Sequence, residues 1–158
     1  MSQPTLVYRH AVSPSRGLAA TGIIVVKLFV ALPHLIIASA LLNLAVVAGY
    51  IGYFVVAFTG KMPGGLYRFM EISFGWSTRT WGWIMGFTDT YPPFETDPEY
   101  PVSVRMGAPM NPKKGWAVAG ILFLKLVVLV PHLIALAVVG IATILAIWFG
   151  YFAVLFTG

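Results

Sequence analysis

Residues 13–60 read SPSRGLAATGIIVVKLFVALPHLIIASALLNLAVVAGYIGYFVVAFTG, and residues 111–158 read NPKKGWAVAGILFLKLVVLVPHLIALAVVGIATILAIWFGYFAVLFTG. The two stretches align without a gap at a constant offset of 98, and 20 of the 48 aligned positions are identical. Pro33-His34-Leu35-Ile36 returns as Pro131-His132-Leu133-Ile134, Gly52-Tyr53-Phe54 as Gly150-Tyr151-Phe152, and Phe58-Thr59-Gly60 as Phe156-Thr157-Gly158. Self-similarity at one fixed period means that a single supersecondary unit has been built twice.

The unit is strongly apolar. Leu18–Thr59 is a run of 42 residues whose only basic or acidic side chains are Lys27 and His34, and its copy Trp116–Thr157 holds only Lys125 and His132. Across the chain 59% of residues are hydrophobic and 9% charged, against about 25% charged in an ordinary soluble domain. So much apolar surface calls for lipid as the solvent. Met1–Gly17 is polar and lacks the charged, apolar, small-residue order of a signal peptide, so none is expected there. With no cysteine, disulfides, Cys-ligated zinc and iron–sulfur clusters are excluded. The net charge of +5 reads as orientation of a membrane chain by basic residues rather than as a nucleic-acid footprint.

A helix of that whole run would be about 63 Å long, roughly twice the ~30 Å hydrocarbon core. Each run is therefore expected to be a hairpin of two spans, turning near Ser39–Val46 and near Val138–Thr143, with Asn43 at the first turn. Pro33 and Pro131 are expected to kink the first helix of each hairpin. Gly49, Gly52 and Gly150 suit close helix packing. All Lys and Arg lie in Met1–Lys27, Lys61–Lys114 or at Lys125, and the expected turns carry none. The positive-inside bias then puts both termini in the cytoplasm. The fold class expected is all-α integral membrane: two tandem helical hairpins, four transmembrane helices in all, with an interfacial helix between them. The chain divides into an N-terminal segment (1–17), hairpin 1 (18–60), an interfacial amphipathic region (61–87), a Pro-rich acidic loop (88–112) and hairpin 2 (113–158).

Leu66–Phe87 is rich in aromatics yet carries Arg68, Glu71 and Arg79, which suits one or two amphipathic helices at headgroup depth. Thr88–Pro112 holds Asp89, Glu95, Asp97 and Glu99, and Pro92-Pro93 forces extended backbone, so an ordered or partner-held loop is expected. Val102-Ser103-Val104 has the composition of a short strand.

Several strings here resemble a bacterial family of uncharacterised membrane proteins built around a domain of unknown function. They are Leu32-Pro33-His34, Phe58-Thr59-Gly60-Lys61-Met62-Pro63, Trp76-Ser77-Thr78-Arg79 and Asp89-Thr90-Tyr91-Pro92-Pro93-Phe94, which together cover most of Arg16–Phe94, with Tyr100-Pro101-Val102 similar to the start of a further unit. The resemblance implies a bacterial plasma (inner) membrane location, and it lends no activity, none being established for the family. The second copy stops at Gly158 where the first runs on into its interfacial segment, so the natural chain is expected to continue beyond that point.

Lys27 and Lys125 lie deep enough in the apolar runs to be candidate sites, since their charge needs compensation. Three readings stand: snorkelling to lipid phosphate, a salt bridge to a partner's carboxylate, or an ion or substrate pathway. No Asp or Glu within the expected spans supplies a counter-ion. His34 and His132 follow those lysines by seven residues, on the same helical face. Neutral imidazole invites haem or chlorophyll ligation, though each sits beside a proline where hydrogen bonding to a freed carbonyl serves as well. Trp76, Arg79, Asp89, Tyr91, Pro92, Pro93 and Phe94 form the interaction candidate: Arg79 is expected to pair with Asp89 or with lipid phosphate, and an extended proline–aromatic loop suits partner docking. No nucleophile elbow, phosphate loop or zinc-protease motif is present. The function expected is that of a non-catalytic accessory or scaffold subunit of a larger membrane protein complex, in contact with membrane lipids. The rivals are a small transporter or channel using Lys27 and Lys125, and a haem- or pigment-binding subunit using His34 and His132.

Overall fold

The computed structural model describes residues 5–9, 14–23, 25–96, 98–107 and 112–158. Asp97, the first residue of each repeat copy, and parts of the N-terminal segment and of the acidic loop lie outside the described residues. In chain order the elements are β1 (Thr5–Tyr8), α1 (Arg16–Ile23), α2 (Val26–Val30), α3 (Leu32–Thr59), α4 (Gly64–Ile84), β2 (Val102–Arg105), α5 (Lys114–Ile121) and α6 (Leu124–Thr157).

The repeat is visible in the backbone. Each copy is an eight-residue helix (α1 or α5), a break, and a helical stretch that ends on the same Thr-Gly pair, continuous as α6 in the second copy and divided at Ala31 into α2 and α3 in the first. The break is the same device in both. Val25 (φ 64°) and Phe123 (φ 57°), equivalent positions of the two copies, take left-handed backbone. Side chains with branched or bulky Cβ substituents resist that region, so its occurrence twice marks a position where the surrounding structure overrides local preference.

This geometry corrects the expected topology. The chain is not two helical hairpins with four transmembrane helices: among the described residues two helices, Leu32–Thr59 and Leu124–Thr157, are long and apolar enough to cross a membrane. The residues expected to turn, Ser39–Val46 and Val138–Thr143, lie mid-helix. Ser39–Val46 is rich in Ala and Leu and free of Gly and Pro, which favours continued helix, and Val138–Thr143 runs on as helix despite Gly140. Asn43 is absorbed by donating its side-chain amide to the Ser39 carbonyl one turn back (2.8 Å). The length argument fails because the run is divided near its start, at Val25, and the short piece ahead of that break need not cross anything. Pro33 stands in the first turn of α3, where its missing N–H costs least, whereas Pro131 lies inside α6.

Nor is the chain all-α. β1 and β2 form a two-stranded antiparallel sheet, with Thr5 opposite Arg105 and Tyr8 opposite Val102. The short strand expected at Val102–Val104 is present, and its partner comes from the N-terminal segment.

The aromatic segment forms the single helix α4, about 32 Å long, which packs along α3. The buried stripe of α3 consists of Ala38, Ala45, Ala48, Gly52 and Val56, and small side chains let the two helices approach closely. A Cβ at Gly52 would fall 2.7 Å from Met62 Cε. α1 packs against α6, and α5 against α3. Each copy's short helix thus leans on the other copy's long helix. α6 is otherwise bare: Tyr151 is its one buried residue.

Candidate functional site: two lysine–tyrosine crossings and a histidine box

The crossing of the copies makes two related sites. Gly22 of α1 meets the Tyr151 ring, where an added Cβ would lie 2.5 Å from Cζ, and Gly120 of α5 meets the Tyr53 ring, at 2.7 Å from Cε2. Lys27 Nζ lies 5.1 Å from the Tyr151 ring centre, and Lys125 Nζ lies 4.3 Å from that of Tyr53. Both separations are within cation–π range, worth about 0.5–2 kcal/mol each depending on desolvation.

Around this shared frame the two lysines differ. Lys27 is 2% exposed; its ammonium donates to the Trp83 carbonyl at 3.2 Å and lies 5.1 Å from the Trp83 ring centre. It does not snorkel. The Asp89 carboxylate is the opposite charge that bears on it, brought from a loop distant in sequence. Asp89 also accepts the Ser15 N–H at 2.6 Å at the mouth of α1. Tyr151, at the other edge of this site, donates to the Ile84 carbonyl. Lys125 is half-buried, and among the described residues its recorded partner is the Tyr53 ring.

His34, seven residues after Lys27 and in the first turn of α3, is fully buried. Phe94 stacks on its ring (4.0 Å, 24°), Tyr91 approaches edge-on at 5.1 Å, and Trp76 stands 5.8 Å away. Neither ring nitrogen has a hydrogen-bonding partner of ordinary geometry, though the Arg79 guanidinium and the Pro92 carbonyl are near enough to act on the ring electrostatically. At 0% exposure, the His34 ring could meet a porphyrin only by displacing Phe94, Tyr91 or Trp76 from around it. His132 is exposed on α6, whereas His34 is covered by residues of α4 and its following loop. The two histidines are brought neither together nor into like surroundings.

The loop after α4 closes the box. Tyr91 Oη donates to the Val30 carbonyl (3.0 Å), Tyr100 Oη to the Thr90 carbonyl (2.6 Å), and Pro92 is fully buried with Pro93 half-buried beside it. Arg79 is 4% exposed and lies 5.0 Å from the Trp76 ring centre. The expected pairing with Asp89 is replaced: Arg79 Nη2 donates to the Glu95 carbonyl at 2.6 Å, while Asp89 serves α1 and Lys27. Burial raises the Tyr100 phenol above its ordinary range, opposed by the Arg79 charge. Trp76, Arg79, Tyr91, Pro92, Pro93 and Phe94 thus hold the chain's own helix pair together.

Tyr53, Tyr151, Trp83 and the crossing glycines Gly22 and Gly120 carry no role in the sequence reading. The signal was present, since Gly22 and Gly52-Tyr53-Phe54 recur with Lys27 at the repeat offset, but pairing Gly22 with Tyr151 needs the exchange between copies. Comparison with protein-family models, curated proteins and solved structures gives no match to this chain.

Proposed function

We propose that this chain is a non-catalytic membrane protein, an accessory subunit that packs against a larger membrane complex and holds lipid at its edge. One observation carries the reading. Every residue of α6 from Leu126 to Val139 is exposed, and four consecutive ones, Val127 (71%), Val128 (55%), Leu129 (45%) and Val130 (51%), point about 100° apart and so ring the helix with apolar side chains. A helix apolar all round is stable when surrounded by lipid or by another protein's apolar surface. The two helices long and apolar enough to cross a membrane support membrane association, and the motif resemblance supports a bacterial plasma membrane.

Of the aromatic residues expected to dock a partner, Trp76 is buried, while Tyr91 and Phe94 pack on His34 and keep an exposed face; α6 offers the larger apolar surface. The test is isolation of the tagged protein from its native membrane in gentle detergent, with mass spectrometry and an absorption spectrum on the same sample. Stoichiometric co-purification with a larger membrane complex is expected. A protein that emerges alone overturns the subunit reading, and a Soret band on it transfers the role to His132, the open histidine.

A further inference from the structure

Each lysine–tyrosine crossing floors an apolar groove, and the grooves are built from equivalent positions. The first, about 230 Å³, is lined by Gly22, Lys27, Leu28, Trp148 and Tyr151. The second, about 300 Å³, is lined by their counterparts Gly120, Lys125, Leu126, Tyr50 and Tyr53, and extends to Leu129. What differs is the provision for charge. In the first, Trp81 and Ile84 of α4 and Met85 just after it add a wall, the Trp83 carbonyl accepts a hydrogen bond from the ammonium, and the Asp89 charge bears on it. In the second, no residue of α4 lines the groove. No hydrogen bond or ion pair to Lys125 is recorded among the described residues, and no Asp or Glu lines the groove.

A half-buried cation at the end of an apolar groove is complementary to an anion that carries an apolar tail. Lys125 is the second residue of α6 and lies over Tyr53, six residues short of the end of α3. That is about 9 Å along the helix axis, within reach of the headgroup layer for a four-carbon stem. From this geometry we infer that the second groove binds one anionic phospholipid, its phosphate on Lys125 and one acyl chain along Tyr50, Phe123, Leu126 and Leu129. The inference rests on the membrane reading above. Among the described residues Asp89 bears on Lys27 and no carboxylate lines the Lys125 groove, so the phosphate supplies the opposite charge there.

The experiment uses the full chain reconstituted into vesicles of phosphatidylcholine with phosphatidylglycerol, then released for native mass spectrometry. One phosphatidylglycerol is expected to stay bound in preference to phosphatidylcholine. Lys125→Gln lowers that preference about fivefold, corresponding to about 1 kcal/mol for one basic side chain at an anionic surface. Lys125→Arg keeps it. Val46→Trp, which fills the groove from an exposed position on α3, removes the lipid while leaving the cation, and Lys61→Gln, an exposed lysine outside the groove, changes nothing. Equal retention of both lipids, or undiminished retention by Lys125→Gln, overturns the inference and leaves the membrane reading standing. Failure of the wild-type chain to enter vesicles at all overturns both.

Discussion

Lys27 and Tyr151 meet across the internal repeat: the ammonium of the first copy lies 5.1 Å from the centre of a ring that belongs to the second. Lys125 and Tyr53 repeat the relationship in the opposite sense at 4.3 Å. Two copies of one unit therefore hold each other by an exchange of like contacts, the arrangement a symmetric dimer uses for its interface. Such a design makes the crossings, rather than the long helices, the places where the copies depend on each other.

Glycine at those crossings is a requirement of space. Gly22→Ala and Gly120→Ala each drive a methyl group into a tyrosine ring, and a cost of about 1–3 kcal/mol is expected for each. Combining Gly22→Ala with Tyr151→Leu should cost less than the sum of the two, because the ring that clashes is gone. Thermal unfolding in detergent measures the cycle; strict additivity would show that the ring is not what Gly22 accommodates.

The two histidines should respond differently to replacement. His34→Phe removes two nitrogens that lack ordinary partners in an aromatic box, and is expected to stabilise the chain by about 1 kcal/mol. His132→Phe, on exposed α6, should stay within about 0.5 kcal/mol of wild type. Denaturant unfolding of both variants decides: a His34→Phe chain markedly less stable than wild type means that a ring nitrogen is bonded in the native state.

Tyr100 predicts an alkaline limb. Its phenol is 6% exposed and donates to the Thr90 carbonyl, and burial raises its pKa in the fold above the unfolded value, which is about 10. The neutral phenol thus stabilises the fold, fully below pH about 10, and that contribution is lost as the pH climbs through the folded value. Tyr100→Phe should cost about 1 kcal/mol at neutral pH and flatten this limb. Stability against pH, followed with phenolate absorbance, checks both; a limb unchanged in Tyr100→Phe assigns it to another group.

The bare helix should tolerate no charge at its middle. Ile141 is 63% exposed near the centre of α6, and Ile141→Lys places a cation where insertion costs about 2.5–3.5 kcal/mol. Much of that variant should become extractable by alkaline carbonate, whereas Thr96→Lys in the exposed loop should stay with the membrane. An Ile141→Lys protein as resistant to extraction as wild type would place this face against something polar.

How much of this was legible beforehand follows from the range of each interaction. The repeat, the apolar runs, the amphipathic character of Leu66–Phe87, the strand at Val102–Val104 and the lysine, histidine and loop residues that mattered were all readable, because composition and periodicity are local properties of a chain. The break at Val25 and Phe123 was not, since left-handed backbone at a branched or aromatic residue runs against local preference and is held by packing. Nor was the fate of Lys27: its carbonyl, rings and counter-charge come from α4, from the loop at Asp89 and from the second copy. By itself the sequence determined that one apolar unit is built twice and where its few polar groups lie. Tertiary structure alone decided that the copies embrace by exchange, that Asp89 serves Lys27 while no described carboxylate reaches Lys125, and that His34 is enclosed while His132 is exposed, because each depends on which distant segment covers which face.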